Sequence, residues 1–213
     1  MGHIVKVLML LVALWAPLAG ATTEAELTAQ VRESSEQMIE RFKNEKNLYH
    51  ENPERFYQIM ETSLEEIVDF RRIAARVMGR HARQATKEQR DQFVEVFKKS
   101  LFNAYAKTLV ESGDFNVAVL SSSINARDDS RASVELEITS PSGNKYPITY
   151  SMYRNKQDGK WYIENVIVSG VNIGLAFRDR FDQEMASRRG NIDQVIANWT
   201  SQIAEEEFEA EPK

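Results

Sequence analysis

Cysteine is absent from the 213 residues. That excludes disulfides, thiolate nucleophiles and every cysteine-bearing metal site, so the fold must hold itself by packing alone. Histidine is scarce: of three, one is His3, leaving His50 and His81 with no second histidine at metal-ligand spacing. Neither an HExxH motif nor a phosphate-binding P-loop occurs. Positive charge is not in excess, with 27 Lys and Arg against 32 Asp and Glu and a net charge of −5. An acidic chain lacks the basic footprint of nucleic-acid binding, and it gains nothing from an anionic membrane surface. Internal repeats and low-complexity linkers are missing too.

The one long apolar run stands at the start. MGHIVKVLMLLVALWAPLAGA has a short basic opening at His3 and Lys6, apolar residues from Val7 to Leu18, and small residues at Ala19 and Ala21. This pattern predicts a secretory signal peptide over residues 1–21, cut after Ala21; Pro17 and the short length argue against a span. No cysteine follows the run, which excludes an acylated lipoprotein. Cleavage would remove Lys6 and no other charged side chain, moving the net charge from −5 to −6.

Beyond it, helical spacing dominates to residue 113. Leu27, Val31, Met38 and Phe42 recur along Thr22–Lys46, with Ser34 and Ser35 filling a gap in the stripe. Asn52-Pro53-Glu54 is a helix start, with Asn as cap and Pro in the first turn. Phe56, Ile59, Met60, Leu64 and Ile67 follow as its buried stripe. Ile73 and Val77 mark a short helix stopped by Gly79, and Thr86-Lys87-Glu88-Gln89 has the form of a capping box. The helix it opens carries Phe93, Phe97, Leu101, Ala104, Tyr105 and Thr108 on one face, with Ser112-Gly113 as its end.

At Asp114 the period changes to two. Phe115, Val117 and Val119 alternate, then Val134, Leu136 and Ile138 with Glu135 and Glu137 between them, then Ile148, Tyr150 and Met152. Turns at Pro141-Ser142-Gly143-Asn144 and Asp158-Gly159 join them into a meander of four antiparallel strands. Glu135, Glu137 and Glu164 are expected to face solvent, and Ser121-Ser122-Ser123 to lie in a strand-end loop.

WYIENVIVSGVNIGLAFRDRF, Trp161 to Phe181, joins the two textures. Alternation predicts a strand with Trp161, Ile163 and Ile167 on one face and Tyr162, Val166 and Val168 on the other. Ser169-Gly170 breaks the period, and Ile173, Phe177, Phe181 and Met185 recur at helical spacing. Gly170 and Gly174 are expected to let that helix cross close to the strand. A last helix carries Ile192, Val195, Ile196, Trp199 and Ile203, ahead of an acidic tail. No carboxylate or histidine is placed for general acid–base work, so the apolar sheet and aromatic helices fit a pocket for a passive guest.

DFRRIAARVMGRHARQATKEQRDQFVEVFKKSLFNAYAKTL and DGKWYIENVIVSGVNIGLAFRDRF resemble the MlaC phospholipid-carrier family, also called toluene-tolerance auxiliary proteins. Asn165 stands where that family is expected to carry an acid. The resemblance implies an α+β fold: a curved antiparallel sheet, similar to the nuclear-transport-factor-two-like cone, packed with helices as one domain over 22–213. Within it, 22–113 is helical, 114–169 the meander and 170–206 the closing helices. It implies a periplasmic shuttle without cofactor or metal. Its cargo is phospholipid, exchanged between an inner-membrane ABC transporter with an MCE-domain ring and an outer-membrane lipoprotein–porin complex, which maintains outer-membrane lipid asymmetry. The expected pocket has a sheet wall of Val134, Leu136, Ile138, Tyr150, Met152, Val166 and Val168. Its helical wall is expected from Phe93, Phe97, Leu101, Tyr105, Val171 and Leu175, with Arg90 as the candidate headgroup contact. Two other readings stay open: an enzyme on the same sheet, with Tyr105 and Tyr150 inward, and an adaptor without a ligand.

Overall fold

The computed structural model describes residues 22–111 and 114–199. The expected signal peptide, the Ser112-Gly113 helix stop, Ile203 and the acidic tail lie outside the described residues. Seven α-helices and five strands are present among them: α1 Glu24–Glu45, α2 Leu48–Glu51, α3 Pro53–Glu65, α4 Phe70–Met78, α5 Lys87–Glu111, then β1 Asn116–Ile124, β2 Arg131–Thr139, β3 Lys145–Arg154, β4 Trp161–Val168, β5 Val171–Asn172, and finally α6 Ile173–Ser187 and α7 Ile192–Ala197. A 3-10 turn, Gly79–Arg83, separates α4 from α5.

The helix starts follow from their caps. Thr23 accepts from Glu26 N while the Glu26 carboxylate accepts from Thr23 N, a reciprocal box that opens α1. Asn52 caps α3, Asp69 caps α4, and Thr86 and Gln89 exchange hydrogen bonds of 3.0 and 3.1 Å at the head of α5.

The strands form a curved, unclosed antiparallel sheet in the order β1-β2-β3-β4-β5. Two bulges set which residues share a face. In β1 the register jumps between Val119 and Ser121, leaving Leu120 unpaired and 59% exposed. The strand therefore continues to Ile124, and Ser121–Ser123 lie within it, not in a loop. In β4 Ile163 pairs with Met152 but Asn165 with Ser151, so Glu164 is the extra residue. The expected alternation of β4 fails at this point. Trp161, Ile163, Val166 and Val168 all join one face, packed with Val119, Val134, Leu136, Ile148 and Met152. Leu27 and Val31 of α1 close over that face.

Glu164 also departs from its expected solvent position. It is 6% exposed, and its carboxylate accepts from Arg72 Nε at 2.6 Å, Arg76 Nη2 at 2.8 Å and Arg131 Nη1. The bulge turns this side chain to α4 and away from the apolar cluster. Beside it, Arg72 lies 3.9 Å from the Tyr153 ring centroid, and the Tyr153 hydroxyl donates to Asp69. Polar groups thus dock α4 on β4, while Val68 adds a parallel bridge to Ile163 at the same edge.

Beyond that edge α4, α5, α6 and α7 build a second core of Phe70, Val77, Phe93, Phe97, Phe177, Phe181 and Trp199. A third, around Phe42, Phe56, Met60 and Ala106, ties α1 and α3 to α5. Lys98 of α5 is buried and meets Glu61 at 2.6 Å and Glu65 and Glu95 at 2.9 Å. Burial alone would lower the pKa of this ammonium; its hydrogen bonds to the three glutamates outweigh that and raise it.

Replacing Glu164 tests the docking of α4. Glu164→Ala leaves three guanidinium groups facing one another, each one-third to one-half exposed, so the loss is moderated by solvent. Urea unfolding is expected to show a destabilisation of about 2 kcal/mol; a change within a few tenths would mean the arginines hold α4 without the carboxylate.

Candidate functional site

α1 is held over the sheet at one end by polar contacts. Thr28 Oγ1 lies 2.8 Å from Ser122 Oγ, Ser122 donates to the Glu24 carbonyl at 2.6 Å, and Ile124 N donates to Glu24 Oε1 at 2.8 Å. Arg32 reaches the Val119 carbonyl, so α1 also satisfies part of the free edge of β1. One turn further on, the apolar stripe lapses at Ser34 and Ser35, and there a cleft of about 310 Å³ opens between helix and sheet. Gln30, Val31, Ser34 and Ser35 form its helical side, Tyr150, Met152, Trp161 and Ile163 its sheet side. Glu66, Ile67, Lys160 and Tyr162 complete the rim.

The seven residues expected as the sheet wall are brought together. Val134, Leu136 and Met152 are buried, and Ile138, Tyr150, Val166 and Val168 pack against the same cluster. The expected helical wall is placed elsewhere. Phe93 and Phe97 are almost fully buried among the rings of α6 and of Trp199, just past α7: Phe93 is 5.0 Å from Phe181 and 5.1 Å from Trp199, and Phe97 is 5.3 Å from Phe177. Leu101 packs at the margin of that cluster, and Tyr105 is half-buried on the next turn. Edge-to-face rings already fill this space.

Val171 and Leu175 are more than a third exposed. The reason is the turn at Ser169 and Gly170, with φ of 49° and 88°, which folds the chain back on the edge of β4. Val171 pairs there with Val168, and Asn172 caps α6 through Leu175 N at 3.0 Å. Leu175 borders an open depression with Arg76 and Arg178. Gly170 thus serves the turn, with nothing within 4 Å of a Cβ built on it. Gly174 makes the close approach, since such a Cβ would fall 2.3 Å from Asn165 Oδ1, the acceptor of the Gly174 N–H. Arg90 donates to the carbonyls of Ala82 and Ala85 at 3.1 and 2.7 Å, binding the 3-10 turn to α5. It is not among the residues lining the cleft.

The residues that periodicity missed are Leu27 and Val31 as cover and Trp161 and Ile163 as floor. Among the described residues no group of His, Asp or Glu could hold a metal ion, and no helix is long and apolar enough to cross a membrane.

A family model described as MlaC protein matches residues 32–201. The chain belongs to the MlaC family. Within this family's curated members, it is 33% identical over 175 residues to the toluene tolerance protein ttg2D of Pseudomonas putida, covering 82% of this chain and 80% of that one. The fold is that of a phospholipid-binding protein from Ralstonia solanacearum solved in complex with a phospholipid. The TM-score is 0.71 at 23% identity, over 85% of this chain and 99% of that one.

Burial pushes the Tyr150 phenol up from its ordinary value. An unfolded tyrosine ionises near pH 10, so this contribution to stability is complete below about pH 10 and is lost as pH rises through the folded value. Tyr153 is a second late group, pushed up to about 12 by burial and by its hydrogen bond to Asp69. Phenolate absorbance of Tyr150→Phe is expected to lack one late-ionising tyrosine; an unaltered late phase would place the Tyr150 side chain in water.

Proposed function

We propose that this protein is a periplasmic phospholipid carrier, which holds acyl chains along the apolar sheet face beneath α1. It moves phospholipid between an inner-membrane ABC transporter with an MCE-domain ring and an outer-membrane lipoprotein–porin complex, and so maintains outer-membrane lipid asymmetry. The observation that carries the reading is a continuous apolar face across four strands, covered by one amphipathic helix and open where that helix turns polar. Membership of the MlaC family supports it, as does the bound phospholipid of the Ralstonia solanacearum protein. The apolar opening of the chain supports export.

The energetics explain why a carrier of this form works. Each acyl methylene costs about 0.8 kcal/mol to expose, so two chains of ordinary length cost roughly 20 kcal/mol in water. Replacing bilayer by the sheet face keeps the exchange nearly balanced and removes the exposed intermediate. No reacting group is required, and any input of energy belongs to the membrane complex. A cleft of about 310 Å³ is at the lower end for small-molecule sites, so a two-chain lipid needs α1 to lift from the sheet. The phosphate end is left at the rim, where Lys160 supplies a cation.

The hydroxyl pair at Thr28 and Ser122 offers the test, because the chain has no other cysteine to interfere. In Thr28→Cys/Ser122→Cys, oxidation clamps α1 to β1. Transfer of labelled phospholipid from donor to acceptor vesicles is expected to fall at least about tenfold and to recover on reduction. Equal transfer in both redox states would contradict loading beneath α1.

A further inference from the structure

One buried hydrogen-bond donor stands at the cleft without an acceptor, and a second, half-buried donor lines it too. Trp161 is 3% exposed, and its indole N–H, which can only donate, has no partner. Tyr150 is half-buried and brings a hydroxyl donor to the same cleft. Both residues line the cleft, on either side of Met152 and Ile163, and their other neighbours on this face are apolar. Buried polar groups are nearly always paired, so the orphan indole on this apolar sheet face calls for an acceptor supplied by the guest. Trp199 also has an unpartnered indole, but Phe93, Phe97, Phe177 and Phe181 surround it and it does not line this cleft.

We infer that the cleft selects ester-linked lipids, with Trp161 and Tyr150 donating to the ester carbonyl oxygens at the glycerol end of a diacyl lipid. This rests on the carrier reading and adds to it the chemical group that is recognised. The placement is consistent along the guest's length. Lys160 precedes Trp161 at the rim, where a phosphodiester sits one bond set beyond the esters. The glycerol lies over Met152 and Ile163, between the two donors, and the acyl chains continue inward over Val134 and Leu136. A diether lipid has the same headgroup, chain length and charge but no carbonyl oxygens, so it isolates this contact.

Full-length mature protein, freed of lipid, is incubated with vesicles holding equal amounts of diester and diether phosphatidylethanolamine of matched chains. Captured lipid is extracted and counted by mass spectrometry. The protein is expected to enrich the diester roughly three- to tenfold, the range of a hydrogen bond or two gained in a buried site. Trp161→Phe and Tyr150→Phe each shrink the enrichment, and the double variant abolishes it. Equal capture of the two lipids by the unaltered protein overturns the inference and leaves the carrier reading standing; capture of neither overturns both. Enrichment that persists in the double variant overturns the assignment to these two residues. Should Trp161→Phe fail to fold by circular dichroism, Tyr150→Phe alone decides, and an undiminished enrichment there counts against the inference.

Discussion

One extra residue in β4 decides whether the sheet presents one continuous apolar face. Without the bulge at Glu164, Trp161 and Ile163 would face opposite to Val166 and Val168, and neither face would be continuously apolar. With it, all four join the residues of β1, β2 and β3 on a single face. The same residue supplies the counter-charge for Arg72, Arg76 and Arg131, so the irregularity that completes the apolar face also anchors α4 on the other. A buried carboxylate is costly unless it is paired and hydrogen-bonded, and three guanidinium groups meet that requirement.

The molecule divides its apolar residues accordingly. Phe93, Phe97, Phe177, Phe181 and Trp199 interlock edge-to-face in a helical core that leaves no groove. The sheet face is built instead mainly from Val, Leu, Ile and Met, with Trp161 and Tyr150 at the cleft, and its cover is a single helix whose inner stripe is broken by two serines. Rigid rings on one side and a thinly covered, largely aliphatic face on the other give a fixed frame with one lightly packed cover. Polar contacts at Glu24 and Thr28 fasten the N-terminal end of α1 to β1.

Much of this was legible in the chain. The caps at Asn52 and Thr86, the stop at Gly79, the four long strands and the turn at Gly143 follow from local chemistry, which tertiary packing left in force. That Val134, Leu136, Ile138, Tyr150, Met152, Val166 and Val168 share one apolar cluster was legible for the same reason. Bulges were not: period-two counting carries no sign of an unpaired residue, so β4 was split between two faces and Glu164 was sent to solvent. Nor does an aromatic stripe say which partner fills it. Phe93 and Phe97 have the spacing of a pocket wall, yet α6 and Trp199 reach them first. The signal for the true cover was present in α1, where Ser34 and Ser35 interrupt the stripe of Leu27, Val31, Met38 and Phe42. A gap in an otherwise apolar stripe marks where a helix does not press on its neighbour.

The most direct measurement is photo-crosslinking with a phospholipid bearing a diazirine near the end of one acyl chain, followed by peptide mapping. Adducts on α1 around Leu27 and Val31 and on the β2–β4 residues Val134, Met152 and Ile163 are the predicted result. Adducts confined to α5, α6 and α7 around Phe97 and Phe177, with none on the sheet, would contradict the account.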